Sequence, residues 1–224
     1  MVTTTKATPK AEDTRDRIVD AALQLFREKG FDETTMRDVA AEAGVATGAA
    51  YYYFCSKEDL VMALYARTSE VARDVIPAAV ARSRDVKKRL RAVIDANFEQ
   101  FADHRRLLGA LVRIGMDPKH PLSPFAKETA PMRLESIGFF RGALAGTKLP
   151  KDLEEFLPGL LWLYQLGLIL FWIYDESPEQ RKTRRLTDAS LDIVVRLLQL
   201  ASLPLLGPLR KRVVALLEDV LAER

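Results

Sequence analysis

The sequence predicts an all-α protein: an N-terminal three-helix head, with its helix-turn-helix, followed by a C-terminal helical body. Three observations carry that expectation. Apolar residues recur at steps of three and four in successive stripes from Ile18 to Val220. No alternating apolar and polar run bounded by turn residues offers a sheet. And Thr34 to Leu60 reads as two short helices joined at Gly44, with the start of another after them. The 224 residues, 48% of them hydrophobic, suit one small head and one core-bearing domain. We divide the chain as a disordered leader (1–13), a head (14–60) and a body (61–224).

In the head, Thr14 is placed to cap a helix whose Ile18, Ala22, Leu25 and Phe26 share one stripe, and Gly30 after Lys29 stops it. Thr35 followed at three residues by Asp38 is a cap-and-acid pair, and Met36, Val39, Ala40 and Ala43 then recur at helical spacing. Gly44 supplies the positive φ of a tight turn, and Val45 anchors it. The next helix, from about Ala46 to Tyr53, turns Ala50 and Tyr53 inward and exposes Ala46, Thr47, Ala49 and Tyr52. Short outward side chains let a helix backbone lie deep in a DNA major groove about 12 Å wide. Thr47 is the leading base contact, since its hydroxyl donates or accepts and its methyl can meet thymine, and Tyr52 is the second. Ser56 to Asp59 opens a fourth helix with acids in its first turn, where Lys57 would point toward a phosphate.

These residues resemble the TetR family of bacterial transcriptional regulators. Thr14 to Phe26, then Lys29-Gly30-Phe31, Thr35 to Val45, and Gly48, Tyr51, Tyr53, Phe54, Ser56, Lys57, Glu58 and Leu60 agree with it in order and spacing. The resemblance implies that Ala46, Thr47, Ala49 and Tyr52 lie nearest to base edges, with Tyr51, Tyr53, Lys57 and the Thr35 end of its helix against phosphates. Two positions depart: Ala46 stands where a serine or threonine is usual, and Ala50 where a larger aliphatic is. The first removes one expected hydrogen bond and the second thins the packing under the helix.

Charge does not announce nucleic acid. The chain carries +3, yet residues 1–60 hold eight Lys and Arg against eleven Asp and Glu, a balance of −3. Lys6, Lys10, Arg15 and Arg17 cluster at the front. The leader, rich in Thr and Ala with almost no large apolar side chain, reads as solvated rather than as an arm along DNA.

The body reads as helix throughout. The fourth helix continues from Ser56 to about Ala81 through Pro77, so head and body share it without a flexible linker. Val86, Leu90, Val93, Ile94, Asn97, Phe98 and Phe101 form the next stripe, and Leu107 to Met116 a short one. A proline-rich loop follows over 117–124, then a helix from Phe125 to about Ala145 broken or bent at Pro131. Phe156 to Tyr174 holds no charge and approaches the length of a membrane span. Acids flank it on both sides, and Pro158 and Gln165 interrupt it. We therefore read it as a helix buried on one side by its own core and on the other by a second copy of the chain. Ser177, Pro178 and Gln180 form the start of the next helix, striped by Leu186, Ala189, Ile193, Val194 and Leu197. Pro208 opens a last one, with Val213, Leu216, Leu217 and Val220 on the face expected to cover apolar surface at the dimer edge.

The resemblance implies that the last long helices make a four-helix dimer bundle. The candidate interface residues are Leu163, Gly167, Leu168, Phe171, Leu186, Ala189, Ile193 and Leu197. It also implies a small ligand held in the body, among Phe98, Phe101, Met116, Met132, Phe139, Phe140, Trp162 and Tyr164, with Asn97, Arg113 and Gln165 as candidate polar anchors. That lining suits an apolar or amphipathic ligand, with Arg113 for an acidic end.

Enzyme signatures are missing from the sequence. His104 and His120 stand apart from Cys55, no Gly-x-Ser-x-Gly elbow occurs, and no glycine-rich phosphate loop follows a strand. No cofactor and no metal are expected. One cysteine builds no disulfide framework, and no secretory leader precedes the head, so a cytoplasmic location with no membrane partner is expected. Cys55 reads as a spare thiol. The functional expectation is a homodimeric regulator, a repressor released from a palindromic DNA operator by an apolar or amphipathic ligand. The rival is a DNA-bound scaffold controlled by a protein partner, without any small ligand.

Overall fold

Eleven α-helices and three short 3-10 turns make up every regular element of residues 9–222, the part of the chain that the computed structural model describes. The all-α expectation is met. In order the helices are α1 (Pro9–Glu28), α2 (Met36–Glu42), α3 (Thr47–Tyr53), α4 (Lys57–Ala81), α5 (Val86–Gln100), α6 (Arg105–Gly115), α7 (Ala130–Leu144), α8 (Lys151–Glu154), α9 (Leu157–Ile173), α10 (Arg181–Ala201) and α11 (Gly207–Ala222). They fall into two compact units. One holds the described residues of Met1–Glu70 with Phe101–Met132, and the other Val71–Gln100 with those of Arg133–Arg224. α4 runs unbroken through Pro77 and supplies residues to both.

The first unit is built on α1. Ile18, Ala22 and Phe26 are fully buried there, along with Val39 of α2 and Leu60 and Val61 of α4. Burying side chains of this size contributes about 1.5 to 3 kcal/mol each. α6 joins this core through Leu107 and Leu111, and Arg106 donates to the carbonyls of Arg27 (3.0 Å) and Glu28 (3.1 Å), satisfying acceptors that the end of α1 leaves open. The head taken as 14–60 from the sequence is therefore larger in space, because the 101–132 segment packs with it. α1 also starts at Pro9, ahead of Thr14. Proline suits a first turn, where its missing N–H is no loss, and Thr14 is a mid-helix residue donating to the Lys10 carbonyl at 2.9 Å. Residues 1–8 of the leader lie outside the described residues.

The second unit packs α5, α7, α9 and α10 around Leu90, Val93, Ile94, Phe140, Leu161, Trp162, Leu168 and Leu191, with Ile76 and Val80 from α4. Three expectations change here. The helix after the proline-rich loop starts at Ala130, so Pro131 sits in its first turn and bends nothing. The apolar run of 156–174 becomes α9, a helix of 17 residues, and no described helix is long and apolar enough to cross a membrane. The start of α10 is not the box expected of Ser177 and Gln180. Glu179 (φ 52°) and Gln180 (φ 50°) are left-handed, and α10 begins at Arg181.

Ser177 still caps the helix through its hydroxyl, which accepts from the Lys182 N–H (3.0 Å), and Asp175 buttresses this start. The Asp175 Oδ1 accepts from the backbone N–H (2.9 Å) and hydroxyl (2.6 Å) of Ser177, and its Oδ2 from the backbone N–H (2.8 Å) and hydroxyl (2.7 Å) of Thr183. Burial pushes this carboxyl up, but the four bonds outweigh it and hold the group well below the usual carboxylate range. α11 turns Arg210, Val214 and Leu217 toward the unit, and Arg210 bonds Asp152 (2.7 Å) and the Ala201 carbonyl (2.9 Å). Val213 and Leu216, expected on the covering face, are exposed with Leu209, because this ion pair fixes the opposite face inward. The Val220 side chain lies outside the described residues.

Candidate nucleic-acid interface

Local rules dictate the turn that presents α3. The Thr35 hydroxyl accepts from the Asp38 N–H (3.1 Å) and the Asp38 carboxylate from the Thr35 N–H (2.9 Å), a reciprocal cap at the start of α2. These bonds hold the Asp38 carboxyl below its ordinary value. At the other end the Val45 N–H reaches the Ala40 carbonyl (2.9 Å) and the Gly44 N–H that of Ala41 (3.1 Å), with Gly44 at φ 65°. This is a Schellman closure, which an L side chain at position 44 would strain. Val39 and Ala40 are buried beneath it.

α3 itself has few anchors. Its N-cap is Ala46, which makes no side-chain bond, and its one buried residue is Ala50. Ala46, Thr47, Gly48, Tyr51 and Tyr52 are exposed, Tyr52 at 84%, while Ala49 and Tyr53 are half-buried. Tyr52 and Tyr53 meet edge to face with ring centroids 5.2 Å apart. Phe54, closing the helix, is 3% exposed. The candidates Ala46, Thr47, Tyr51 and Tyr52 therefore share an open face, and Thr35 is exposed at the start of α2.

Lys57 is placed differently from its expected part. Its Nζ donates to the carbonyls of Phe31 (2.7 Å) and Asp32 (3.2 Å) and lies 4.6 Å from the centre of the Phe31 ring. The ammonium ties the start of α4 to the turn after α1. Two further residues were not legible as parts of this interface. Arg17 Nη2 donates to the Ala43 carbonyl at 2.5 Å, and the Arg15 guanidinium lies 5.0 Å from the centre of the Phe54 ring. Both stood in the sequence as members of a basic cluster, and only the fold gives them partners.

Of the residues expected to line a ligand site, seven lie in the second unit. Phe140 and Trp162 belong to its core, with Phe98, Phe139 and Tyr164 packed against it. Gln165 is 3% exposed, and its Oε1 accepts from Asn97 Nδ2 at 3.3 Å, while the same Nδ2 donates to the Val93 carbonyl at 2.8 Å. Phe98 and Trp172 lie with ring centroids 5.4 Å apart. The Ser190 hydroxyl donates to the Leu186 carbonyl (2.6 Å), so it accepts from the Tyr164 hydroxyl at 2.7 Å, and burial pushes that phenol up. Phe101, Arg113, Met116 and Met132 lie in the first unit instead. Phe101 meets Tyr65 edge-on, Arg113 pairs with Asp32 at 3.3 Å, and Met116 is 78% exposed. α6 buries Leu107, Leu108, Ala110 and Leu111, which leaves Arg113 on the outward side.

The expected dimer residues fall on two outward stripes. On α9, Leu160, Leu163, Gly167, Leu170 and Phe171 are exposed, as is Tyr174 just after it, and on α10, Leu186, Ala189, Ile193, Leu197 and Leu200. Leu168 is the exception: at 3% exposure it belongs to the unit's own core, because it falls on the inward side of α9 with Leu161, Gln165 and Trp172. A groove of about 820 Å³ runs from Gly167, Leu170, Phe171 and Tyr174 to Arg181 and Lys182.

Residues 18–64 match the model of the bacterial regulatory proteins of the tetR family, and residues 89–213 match that of the tetracycline repressor-like C-terminal domain. The chain belongs to the TetR family. It is a DNA-binding transcriptional regulator by that membership. Among relatives of this TetR-family chain, the HTH-type transcriptional regulator SrpR of Pseudomonas putida is 30% identical over 165 residues, covering 63% of the chain and 76% of SrpR. The uncharacterized HTH-type regulator YerO of Bacillus subtilis is 32% identical over 109 residues, 47% of the chain and only 37% of YerO. Among solved structures, the regulator FadR from Bacillus subtilis in complex with stearoyl-CoA superposes with a TM-score of 0.62 at 17% identity, over 80% of this chain and 97% of that one. At that identity the likeness is one of fold.

Proposed function

We propose that this regulator is a homodimeric repressor that binds a palindromic operator through α3 and is released by an apolar or amphipathic small ligand held in the second unit. The observation that carries the reading is the open face of α3, with Thr47, Tyr51 and Tyr52 outward on a turn closed at both ends by its own caps. Thr47 and Tyr52, with Ala46 and Ala49, meet base edges, and Tyr51, Tyr53 and Thr35 lie at phosphates. The two outward apolar stripes of α9 and α10 support self-association, since unpartnered apolar area of this kind is costly on a monomer. Asn97 and Gln165, a bonded amide pair among Phe98, Phe140, Trp162 and Tyr164, support an anchor for the polar end of an apolar ligand. FadR carries stearoyl-CoA, which agrees with that ligand class.

Release follows from linkage: a ligand that prefers the body conformation incompatible with two successive grooves weakens DNA binding by the ratio of its affinities for the two conformations. The test uses a labelled duplex selected by the protein from a random pool, titrated with a long-chain fatty acid, its CoA thioester and an uncharged aromatic compound. At least one should release the DNA. Gln165→Leu should fold and bind the duplex as the parent does, since Asn97 keeps its bond to Val93, yet require about tenfold more ligand, the worth of one hydrogen bond. Equal release from parent and variant would leave Gln165 a purely structural residue. The second reading, a protein-controlled scaffold, is favoured by the outward stripe Leu209, Val213 and Leu216 on α11, and release by none of the three compounds would support it.

A further inference from the structure

α3 is seven residues long, is capped by no side chain and buries Ala50 alone, so its own packing does little to fix its position. Helices this short are not stable by themselves, and a reading helix displaced by an ångström loses its base contacts. Its two ends must therefore be held from outside. The front end follows from the Ala43-Gly44-Val45 turn, and the far end is Phe54, buried to 3%. An arginine of α1 reaches each. Arg17 Nη2 donates to the Ala43 carbonyl at 2.5 Å, one of the acceptors that the C-terminus of α2 leaves open. The Arg15 guanidinium lies over the Phe54 ring at 5.0 Å. A Cβ added at Gly44 would come within 3.5 Å of the Arg17 guanidinium, so this group closes directly over the turn.

We infer that Arg15 and Arg17 are positioning residues for DNA reading: α1 fixes the far end of α3 through Phe54 and the front end through Ala43, and neither guanidinium acts by touching DNA. The inference rests on α3 being the reading helix. It separates sharply from the ordinary reading of arginines near an interface, which is phosphate contact. An arginine on a phosphate adds about one unit to the dependence of log affinity on log salt, whatever the state of Phe54. A positioning arginine leaves that slope alone and loses its effect when the group it grips is changed.

The experiment is a double-mutant cycle on the full chain, read with the duplex that the parent selects from a random pool. Arg15→Ala should weaken binding about fivefold, a cation over an aromatic ring at an exposed site being worth roughly 1 kcal/mol. In the Phe54→Leu background, which keeps the site apolar, the same change should cost less than about 1.5-fold, a coupling that additive sites do not have. Arg15→Lys should restore much of the loss in the parent background and nothing where Phe54→Leu is also present. Arg17→Ala should weaken binding by a similar factor, and Arg17→Lys, which keeps one donor, should recover part of it. The salt slope should equal the parent's in all four arginine variants.

A slope lower by about one in Arg15→Ala or Arg17→Ala would overturn the inference, as would an Arg15→Ala loss of equal size in both backgrounds. So would a lowered melting temperature with unchanged affinity well below it, which would mark these arginines as merely structural. If Thr47→Ala relaxes base preference while the arginine effects are additive, the positioning role alone fails. If the parent selects no duplex, the reading helix itself is misassigned and the inference falls with it.

Discussion

Asp175 accepts four hydrogen bonds from Ser177 and Thr183, so the start of α10 is set by a carboxylate outside the usual capping window. That is why Ser177, Pro178 and Gln180 do not form the expected local box: Ser177 reaches the Lys182 N–H across a left-handed turn at Glu179 and Gln180, and the Asp175 carboxylate takes the Thr183 N–H. The Thr35 and Asp38 box was legible because both partners lie within one turn of each other. His104 adds a case with a pH signature. It ends the 3-10 turn before α6, half-buried, and its Nδ1 is enclosed without a hydrogen-bond partner. Burial lowers its pKa, and the guanidinium groups of Arg27 and Arg67 lower it further against the opposing pull of Asp103. The folded state thus refuses a proton that the unfolded chain accepts near 6.5, so stability is full above that pH and declines as pH falls below it. We expect the melting temperature to drop as the pH falls through about 6.5, and His104→Gln to flatten that drop. An identical decline in parent and variant would assign the titration to other groups.

At the level of elements, α9 explains why a stretch without charge is not a membrane span. Its 17 residues reach only about 26 Å, short of a hydrocarbon core near 30 Å. One side of it, with Leu161, Gln165, Leu168 and Trp172, fills the second unit, while the other leaves Leu163, Leu170 and Phe171 exposed. The sequence carried the two-sidedness of this helix but not the assignment of each residue. A uniformly apolar helix has no polar face to mark its rotation, which is how Leu168 came to be expected outside. α10 has such a face, and Leu186, Ala189, Ile193 and Leu197, expected at the interface, are all exposed on its apolar stripe. Ile193 is 58% exposed in the single chain, so Ile193→Arg should leave the protomer folded. Across a self-association interface it would bury an unpaired charge, which costs about 3 to 5 kcal/mol per broken site. Sedimentation should then report a monomer where the parent is a dimer, and a dimer in both would take α10 out of the interface.

For the whole molecule, the helix-turn-helix was legible and the arrangement of the proposed ligand site was not, for a physical reason. A helix-turn-helix is specified by caps, a glycine with positive φ and side-chain size, all of them local and all visible between Thr35 and Phe54. A ligand site in a helical body is specified by which aromatic side chains leave room beside one another, and the same residues make good core. Phe98, Phe139, Phe140, Trp162, Tyr164, Asn97 and Gln165 do gather in one unit, while Phe101, Arg113, Met116 and Met132 belong to the other. Arg106, Arg15, Arg17 and Lys57 teach the same lesson for charge, since each has its partner far along the chain.

The central claim is that a symmetric pair of α3 helices reads DNA in two successive major grooves, and selection of bound duplexes from a random pool by the full chain tests it most directly. The account predicts inverted-repeat sequences whose half-sites are centred about 34 to 36 Å apart or at multiples of that turn, with a dimer on each. It further predicts that selection with Thr47→Ala returns the same spacing with one base position per half-site relaxed, at a cost of roughly 1 to 3 kcal/mol. Selected sequences without dyad symmetry, or an unaltered preference and affinity for Thr47→Ala, would contradict it.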